Sequence, residues 1–358
     1  MPLAVVTGFP GFIGRRLVRG LLEGDGEMRV AALVEERMLD AARQAASEIG
    51  ENRIELLAAD IGEQDLGLGG DDYRRLQEEA ALVFHLAAIY SLSVPLQLAQ
   101  RVNVDGTGNV VDFCLGAKSL QRFVYISTAY VAGMRTGTVY EHELVMGQDF
   151  KNHYESTKFQ AEVWVQQKAV PRIPTTTLRP AIVVGDSKTG ETQKFDGPYF
   201  ILRTVAEAER NGRPVPQFGR DDAPFNVVPV DYVVAAILAA ADDPAMEGET
   251  LHLVDPEPLS ARELVTTLSR EYAGREPKGR MPSALLQASL RFDAVRQRFG
   301  GTPMESVAYL SHPVAFDTRR ARALLAPHDL RPPNFADYAG AMTRFFREHE
   351  DEESFKPG

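Results

Sequence analysis

A glycine turn near the start constrains the fold most. The short β-rich run Leu3–Thr7 passes directly into Gly8-Phe9-Pro10-Gly11-Phe12-Ile13-Gly14, and apolar residues then recur at helical spacing over Arg15–Leu22. A strand, a tight glycine turn and an amphipathic helix in immediate succession open a β-α-β unit. The alternation continues. Further strands are expected at Val30–Val34, Ile54–Ala58, Leu82–Leu86, Phe123–Ser127 and Thr175–Arg179, with helices at Leu39–Ile49, Val104–Leu115 and Tyr154–Lys168 between them. Such alternation predicts an α/β fold: a doubly wound, Rossmann-type parallel sheet covered on both faces.

After Pro180 the pattern changes. Gly- and Pro-rich stretches interrupt it, a helix-like Asp231–Ala241 leads to a strand-like Thr250–Val254, and Ala261–Ala273, Ser283–Phe299 and Asn334–His349 are helical in period. The expectation is a Rossmann domain over 1–180, completed by 231–254. A smaller, mostly helical lobe spans 181–230 and 255–345, and residues 346–358 form a solvated acidic tail.

Composition narrows the function. A formal charge of −11 argues against a nucleic-acid footprint. Cys114 is the single cysteine, so an internal disulfide and a multi-cysteine metal site are excluded, and no metal is expected. A bilayer span needs roughly 18 or more apolar residues, and Val227–Ala241 is interrupted by Pro229 and Asp231. No leader is expected, since Leu3–Val6 already reads as a strand of the fold, and a cytoplasmic location follows.

The turn itself points to a ligand. Gly8 can take backbone angles closed to other residues, Gly11 lets a pyrophosphate approach the main chain, and Gly14 lets helix and strand pack closely. Phe12 and Ile13 open the helix, whose unpaired N–H groups and positive partial charge suit phosphates. A dinucleotide is expected there. Glu35, after the second strand, can hydrogen-bond the adenosine ribose hydroxyls and repel a 2′-phosphate, which favours NADH. Arg37 or Arg15 would instead pair with that phosphate and admit NADPH. Asp60 and Ile61, at the end of the third strand, are placed for the adenine, although Asp60 serves equally well as a turn cap.

Tyr154-Glu155-Ser156-Thr157-Lys158 puts a phenol and an ammonium at i and i+4 on one helix face. Reducing a carbonyl by hydride transfer creates an alkoxide that must receive a proton. A tyrosine can donate it, and a nearby lysine stabilises the phenolate left behind. Upstream, Val124-Tyr125-Ile126-Ser127-Thr128 reads as a strand ending in two hydroxyls at the sheet's carboxyl edge. Thr128 is the candidate donor to the substrate oxygen, with Ser127 close behind.

The glycine turn, His85-Leu86-Ala87-Ala88, Asn103-Val104-Asp105-Gly106-Thr107, Ser127-Thr128, Tyr154/Lys158 and Arg179-Pro180 recur here in an order that resembles the extended short-chain dehydrogenases/reductases. The three-residue glycine spacing, which departs from the general dinucleotide fingerprint, is that superfamily's usual form. The resemblance implies that Ala87 lines the cofactor, that Asn103 supports the active-site end of its helix and that the Arg179–Pro180 backbone lies near the nicotinamide. Lys158 would also hold the nicotinamide ribose. The stretches 84–90, 154–162, 179–191 and 194–200 are similar to the reductase domain of fatty acyl-CoA reductases and thioester-reductase-like proteins, the male-sterility branch. That likeness implies reduction of acyl thioesters or aldehydes, usually with NADPH. This chain departs from it with Glu35 where the branch commonly has an arginine.

The leading expectation is therefore an NAD(P)H-dependent reductase of acyl thioesters, bound to coenzyme A or an acyl carrier protein, or of long-chain aldehydes. Phe195, Tyr199, Phe200, Leu202 and Val205 are candidates for an acyl channel or for ordinary core, and a basic excess over Arg270–Arg298 for an acidic carrier. Alternatives are a sugar-nucleotide epimerase or dehydratase, a ketone- or steroid-type alcohol dehydrogenase, and a non-catalytic nucleotide sensor. A homodimer is left open.

Overall fold

In the computed structural model, residues 1–24, 26–91, 94–279 and 304–355 are described, together with 281, 285, 288, 291 and 292. In chain order the strands are β1 (Leu3–Thr7), β2 (Arg29–Val34), β3 (Ile54–Ala58), β4 (Ala80–His85), β5 (Arg122–Ile126), β6 (Gly137–Val139), β7 (Thr175–Pro180), β8 (Ile182–Val184), β9 (Val227–Pro229), β10 (Thr250–Leu253) and β11 (Val314–Phe316). The helices are α1 (Phe12–Gly24), α2 (Leu39–Ile49), α3 (Gly70–Glu79), α4 (Leu96–Ala99), α5 (Gly106–Gly116), α6 (His153–Trp164), α7 (Tyr199–Arg210), α8 (Val230–Asp242), α9 (Ala261–Ala273), α10 (Arg319–Leu325) and α11 (Phe335–His349).

Seven strands form one parallel sheet in the order β10-β7-β5-β4-β1-β2-β3. Both faces are covered, which accounts for the apolar runs of the central strands β1, β2 and β4. Ala4, Val6, Phe84 and Val124 pack under α1, α2, α8 and α10, whereas Leu3, Val5, Val83 and Phe123 pack under α3, α5 and α6. The chain leaves β1 toward β2 and β3, then returns to build β4 on its other side. Ligands bind outside the carboxyl ends of the strands at such a reversal.

The second half builds a separate apolar cluster from α7, α9, α11 and the segment around Tyr309. Two short parallel pairs, β8 with β9 and β6 with β11, lie outside the main sheet. Helix α9 begins with a reciprocal cap between Ser260 and Glu263 and ends at Gly274, whose φ of +64° suits a residue without Cβ.

Two expectations change here. The five proposed channel residues are packed core: Phe195 lies 4.8 Å from Phe346 and 4.9 Å from Phe355, centre to centre, and Tyr199, Phe200, Leu202 and Val205 are buried beside it. Within the segment after 346, Glu350 and Phe355 dock on the lobe, while 351–354 are exposed as expected. Phe355 stacks on Phe195 and its carbonyl accepts from the Phe195 N–H at 2.9 Å, while Glu350 accepts from the Tyr272 hydroxyl at 2.8 Å. The acidic letters hid one aromatic residue that the lobe core needed. Apart from 285, 288, 291 and 292, the expected helix Ser283–Phe299 lies outside the described residues, as do Arg280, Arg296 and Arg298 of the basic stretch. Of the rest, Arg270 pairs with Glu276 and Arg275 with Glu209.

Candidate active site

The glycine turn is packed as tightly as main chain allows. Gly8 has φ of +91°, and a Cβ on it would meet the Ala87 nitrogen at 2.9 Å. A Cβ on Gly14 would come within 2.4 Å of the Gly8 carbonyl oxygen, and one on Gly11 within 2.8 Å of the same atom. Gly11 therefore has a packing reason of its own. The N–H groups of Phe12 and Ile13 stand in the first turn of α1, where no intrahelical acceptor exists. This cradle fits a dinucleotide pyrophosphate.

Beside the turn, buried His85 links the two strands at the reversal. Thr107 donates its hydroxyl proton to the Asn103 carbonyl (2.7 Å) and so accepts from His85 Nε2–H (2.9 Å). Nδ1 then accepts from Thr7 (2.7 Å), whose oxygen accepts the N–H groups of Leu86 and Ala87 at 3.2 Å each. Burial, with the Lys158 charge adding to it, lowers His85 to about 3 and keeps it neutral. The helix preceding α5 widens to a π-turn over Gln100–Asp105, which carries buried Asn103. Asn103 accepts from the Ile89 N–H (2.8 Å) and donates to the Ile89 carbonyl and to Thr157, each at 3.1 Å.

On the ribose side, Glu35 pairs with Arg37 at 2.7 Å, and Arg15 with Glu48 at 2.6 Å. Asp60 both caps its turn, accepting from the Gly62 N–H at 2.9 Å, and pairs with Arg101 at 2.6 Å. The Ile61 carbonyl accepts from Asn109 at 2.7 Å, and its side chain packs against Gly106.

Helix α6 starts at Asn152, whose side chain accepts from the Glu155 N–H at 3.0 Å. Its sheet-facing stripe is unusual: Glu155, Thr157, Lys158, Ala161 and Glu162 are all buried. The Tyr154 phenol lies near the Thr128 hydroxyl, which donates to the Pro180 carbonyl at the end of β7 (3.3 Å). Burial pushes Tyr154 up to about 12; the Thr128 hydrogen bond works against this and the Glu155 charge with it. Lys158 donates to the Ile126 carbonyl at 2.7 Å and lies 4.5 Å from the centre of the Tyr125 ring. Burial lowers it to about 7, opposed by the charge of Glu162. Ser127 donates to Glu162, which leaves Thr128 as the strand-end hydroxyl beside the phenol.

The structure thus brings Thr128, Tyr154, Lys158 and Pro180 together, and it groups Gly8, Gly11, Gly14 and Ala87 at the turn. Sequence reasoning assigned no role to His85, Thr7, Thr107 or Glu162. For Glu162 a signal existed: a charge four residues beyond Lys158, on the face shared with Ala161 and Val165. Two open clefts of about 570 and 510 Å³ lie elsewhere, beside β10, and share Glu141, His142, Gln166 and Thr250. Neither includes the Tyr154 group. Among the described residues no His/Cys/Asp/Glu cluster suits a metal ion, and no helix is long and apolar enough to cross a membrane.

Known proteins similar to this chain identify its family. The chain is 29% identical over 273 residues to the non-canonical nonribosomal peptide synthetase FrzA of Cladobotryum sp, a match covering 70% of this chain and 26% of that protein. It is 29% identical over 275 residues to the aldehyde reductase lnaA of Aspergillus flavus, covering 70% of this chain and 25% of that one. The chain thus spans about a quarter of the length of these relatives. Its fold matches the terminal R domain from the myxalamid PKS-NRPS biosynthetic pathway with a TM-score of 0.83 at 24% identity, over 99% of this chain and 92% of that one. The family description "male sterility protein" matches residues 6–237. The chain belongs to the male sterility protein family, through an NAD-binding region that covers residues 6–237.

Proposed function

We propose that the chain is an NAD(P)H-dependent reductase of carrier- or coenzyme A-bound acyl thioesters, or of the aldehydes derived from them. The observation that carries this is the placement of Tyr154 one helical turn from buried Lys158 on α6, near the Thr128 hydroxyl that follows β5. When bound, the dinucleotide supplies the hydride. The Gly8–Gly14 turn with Phe12 and Ile13 would hold its phosphates, Glu35 the adenosine ribose, and Asp60 and Ile61 the adenine. Ala87, Asn103, Lys158 and Pro180 would flank its nicotinamide half.

A thioester or aldehyde carbonyl gains negative charge on oxygen as it is reduced. Thr128 donates a hydrogen bond to that oxygen, and Tyr154 delivers the proton. Lys158 in its ammonium form stabilises the phenolate that remains. The likeness to peptide synthetases favours a carrier-bound thioester over a free aldehyde. NADH is the preferred cofactor: Glu35 stands after β2, and Arg37 and Arg15, the candidates for a 2′-phosphate, are each paired with a carboxylate.

The test is NADH and NADPH oxidation against acyl-CoAs and long-chain aldehydes, with wild-type protein and Tyr154→Phe. The variant should lose roughly 10²–10⁴-fold in turnover while still binding cofactor. Undiminished turnover would remove Tyr154 from the mechanism.

A further inference from the structure

Behind Lys158 lies a buried ionic layer that the proposed reaction does not use. Glu162, one turn further along α6, has no exposed surface. Its Oε1 accepts from Arg179 Nε at 2.9 Å, and its Oε2 accepts from the Ser127 hydroxyl. Arg179, itself 2% exposed, donates onward to the Glu141 carbonyl at 3.1 Å and to His252 Nε2 at 3.3 Å. His252 Nδ1–H donates to the Asp317 carbonyl at 2.8 Å, which leaves Nε2 as the acceptor.

Burying such a pair is expensive, and well-packed apolar residues often serve stability as well or better. The partners of Glu162 suggest another role. Ser127 adjoins Thr128. Arg179 adjoins Pro180, whose carbonyl contacts Thr128. Lys158 shares the helix face of Glu162 at i, i+4.

We propose that Glu162 is a positioning residue: it clamps the ends of β5 and β7 around Thr128 and supplies the counter-charge that keeps Lys158 an ammonium ion. This rests on the reading of Thr128, Tyr154 and Lys158 as the reacting groups. The groups facing Lys158 are Tyr154 and Glu162 on α6, Tyr125 on β5 and neutral His85 on β4. Those facing Glu162 are Ser127 and Tyr125 on β5 and Arg179 on β7, with neutral His252 of β10 behind the guanidinium. Of these, Glu162 is the anion that opposes the loss of the Lys158 proton. Burial lowers Lys158, and with that opposition included it stands at about 7, near neutral pH, where a change in the opposition alters its charge.

The experiment follows Lys158 directly. In the NADH-bound protein labelled with ¹³C-lysine, the Lys158 ε-carbon resonance, assigned by its loss in Lys158→Arg, is titrated by NMR. Glu162→Gln should lower the midpoint by about one pH unit or more. The alkaline limb of kcat for decanal reduction should move down with it, with little change in KM for NADH. Glu162→Asp, which keeps the charge, should restore the midpoint toward wild type even if kcat stays low. Should E162Q fail to fold because Arg179 is left unpaired, the E162Q/R179Q variant is uncharged on both sides and should show the same downward shift. An unmoved Lys158 midpoint in either variant overturns the proposal. Tyr154→Phe run in parallel separates the two levels: full turnover in that variant overturns the parent reading. An inactive Y154F beside an unmoved midpoint overturns only the role of Glu162.

Discussion

Glu155, Lys158 and Glu162 place charge on the stripe of α6 that faces the sheet, where a helix in this setting ordinarily carries apolar residues only. Desolvation lowers Lys158 to about 7, and it also lowers His85. Its folded value near 3 lies below the ordinary 6.5. As pH falls through that window the unfolded chain takes up a proton that the folded chain refuses, so stability is lost between about 6.5 and 3. Urea midpoints measured across this range should fall with pH, and the slope should flatten in His85→Gln. A slope unchanged by that substitution would mean that His85 carries little of the effect. Cofactor choice also belongs to single residues. Glu35→Gln removes the charge that repels a 2′-phosphate, and the ratio of kcat/KM for NADPH over NADH should rise by about tenfold, the equivalent of some 1.4 kcal/mol. Much of this site was legible in the letters. Tyr154 and Lys158 announce themselves by spacing, and Thr128 by its place after a strand. Thr128 was preferred to Ser127 from the sequence, but the engagement of Ser127 was not legible, because it depends on Glu162 reaching back from another element.

At the level of elements, short-range patterns located most of the structure. Leu39–Ile49 and Ala261–Ala273 are helices over the residues expected, and β1 and β3 likewise. Helices α3, α7 and α10 went unread. Helix α3 opens on Gly-Asp-Asp with only Leu76 buried, α7 follows a Gly-Pro pair that reads as a break, and α10 is seven residues long. Their formation depends on what they pack against, a tertiary matter. Two substitutions test elements directly. Gly14→Ala puts a methyl group 2.4 Å from the Gly8 carbonyl, so α1 must shift away from β1. A loss of stability of about 1–3 kcal/mol and weaker NADH binding should appear together in denaturation and fluorescence titration. Phe355→Ala removes a ring stacked on buried Phe195 and should cost about 3 kcal/mol in the same denaturation assay. A negligible change would return residues 346–355 to the status of a solvated tail.

For the whole molecule, the match to the family ends at residue 237 while the fold does not. Strand β10, at 250–253, pairs with β7 in register Thr250↔Thr177 to Leu253↔Pro180. The Glu141 carboxylate accepts N–H groups from His252 of that strand and from Arg320 and Ala321 of α10. A chain ended after Asp242 should therefore lose its cooperative thermal transition by circular dichroism, because β7 becomes an open edge and the apolar faces of α7 and α8 lose cover. Retention of a sharp transition would show that residues 3–242 fold without the rest.

The alternation of strand and helix, the glycines of the first turn and the phenol–amine spacing are local properties, encoded within a few residues and set by backbone sterics and helical period. From them the chain by itself determined its parallel sheet, the glycine turn proposed to cradle a dinucleotide and the Tyr154–Lys158 pair proposed for proton transfer. Only the tertiary structure decided that the proposed channel residues are core, that Phe355 is pulled in from an acidic run, and that Ser127 turns from the substrate side to Glu162. Each of those outcomes depends on contacts between residues tens to more than a hundred positions apart, which no local pattern records.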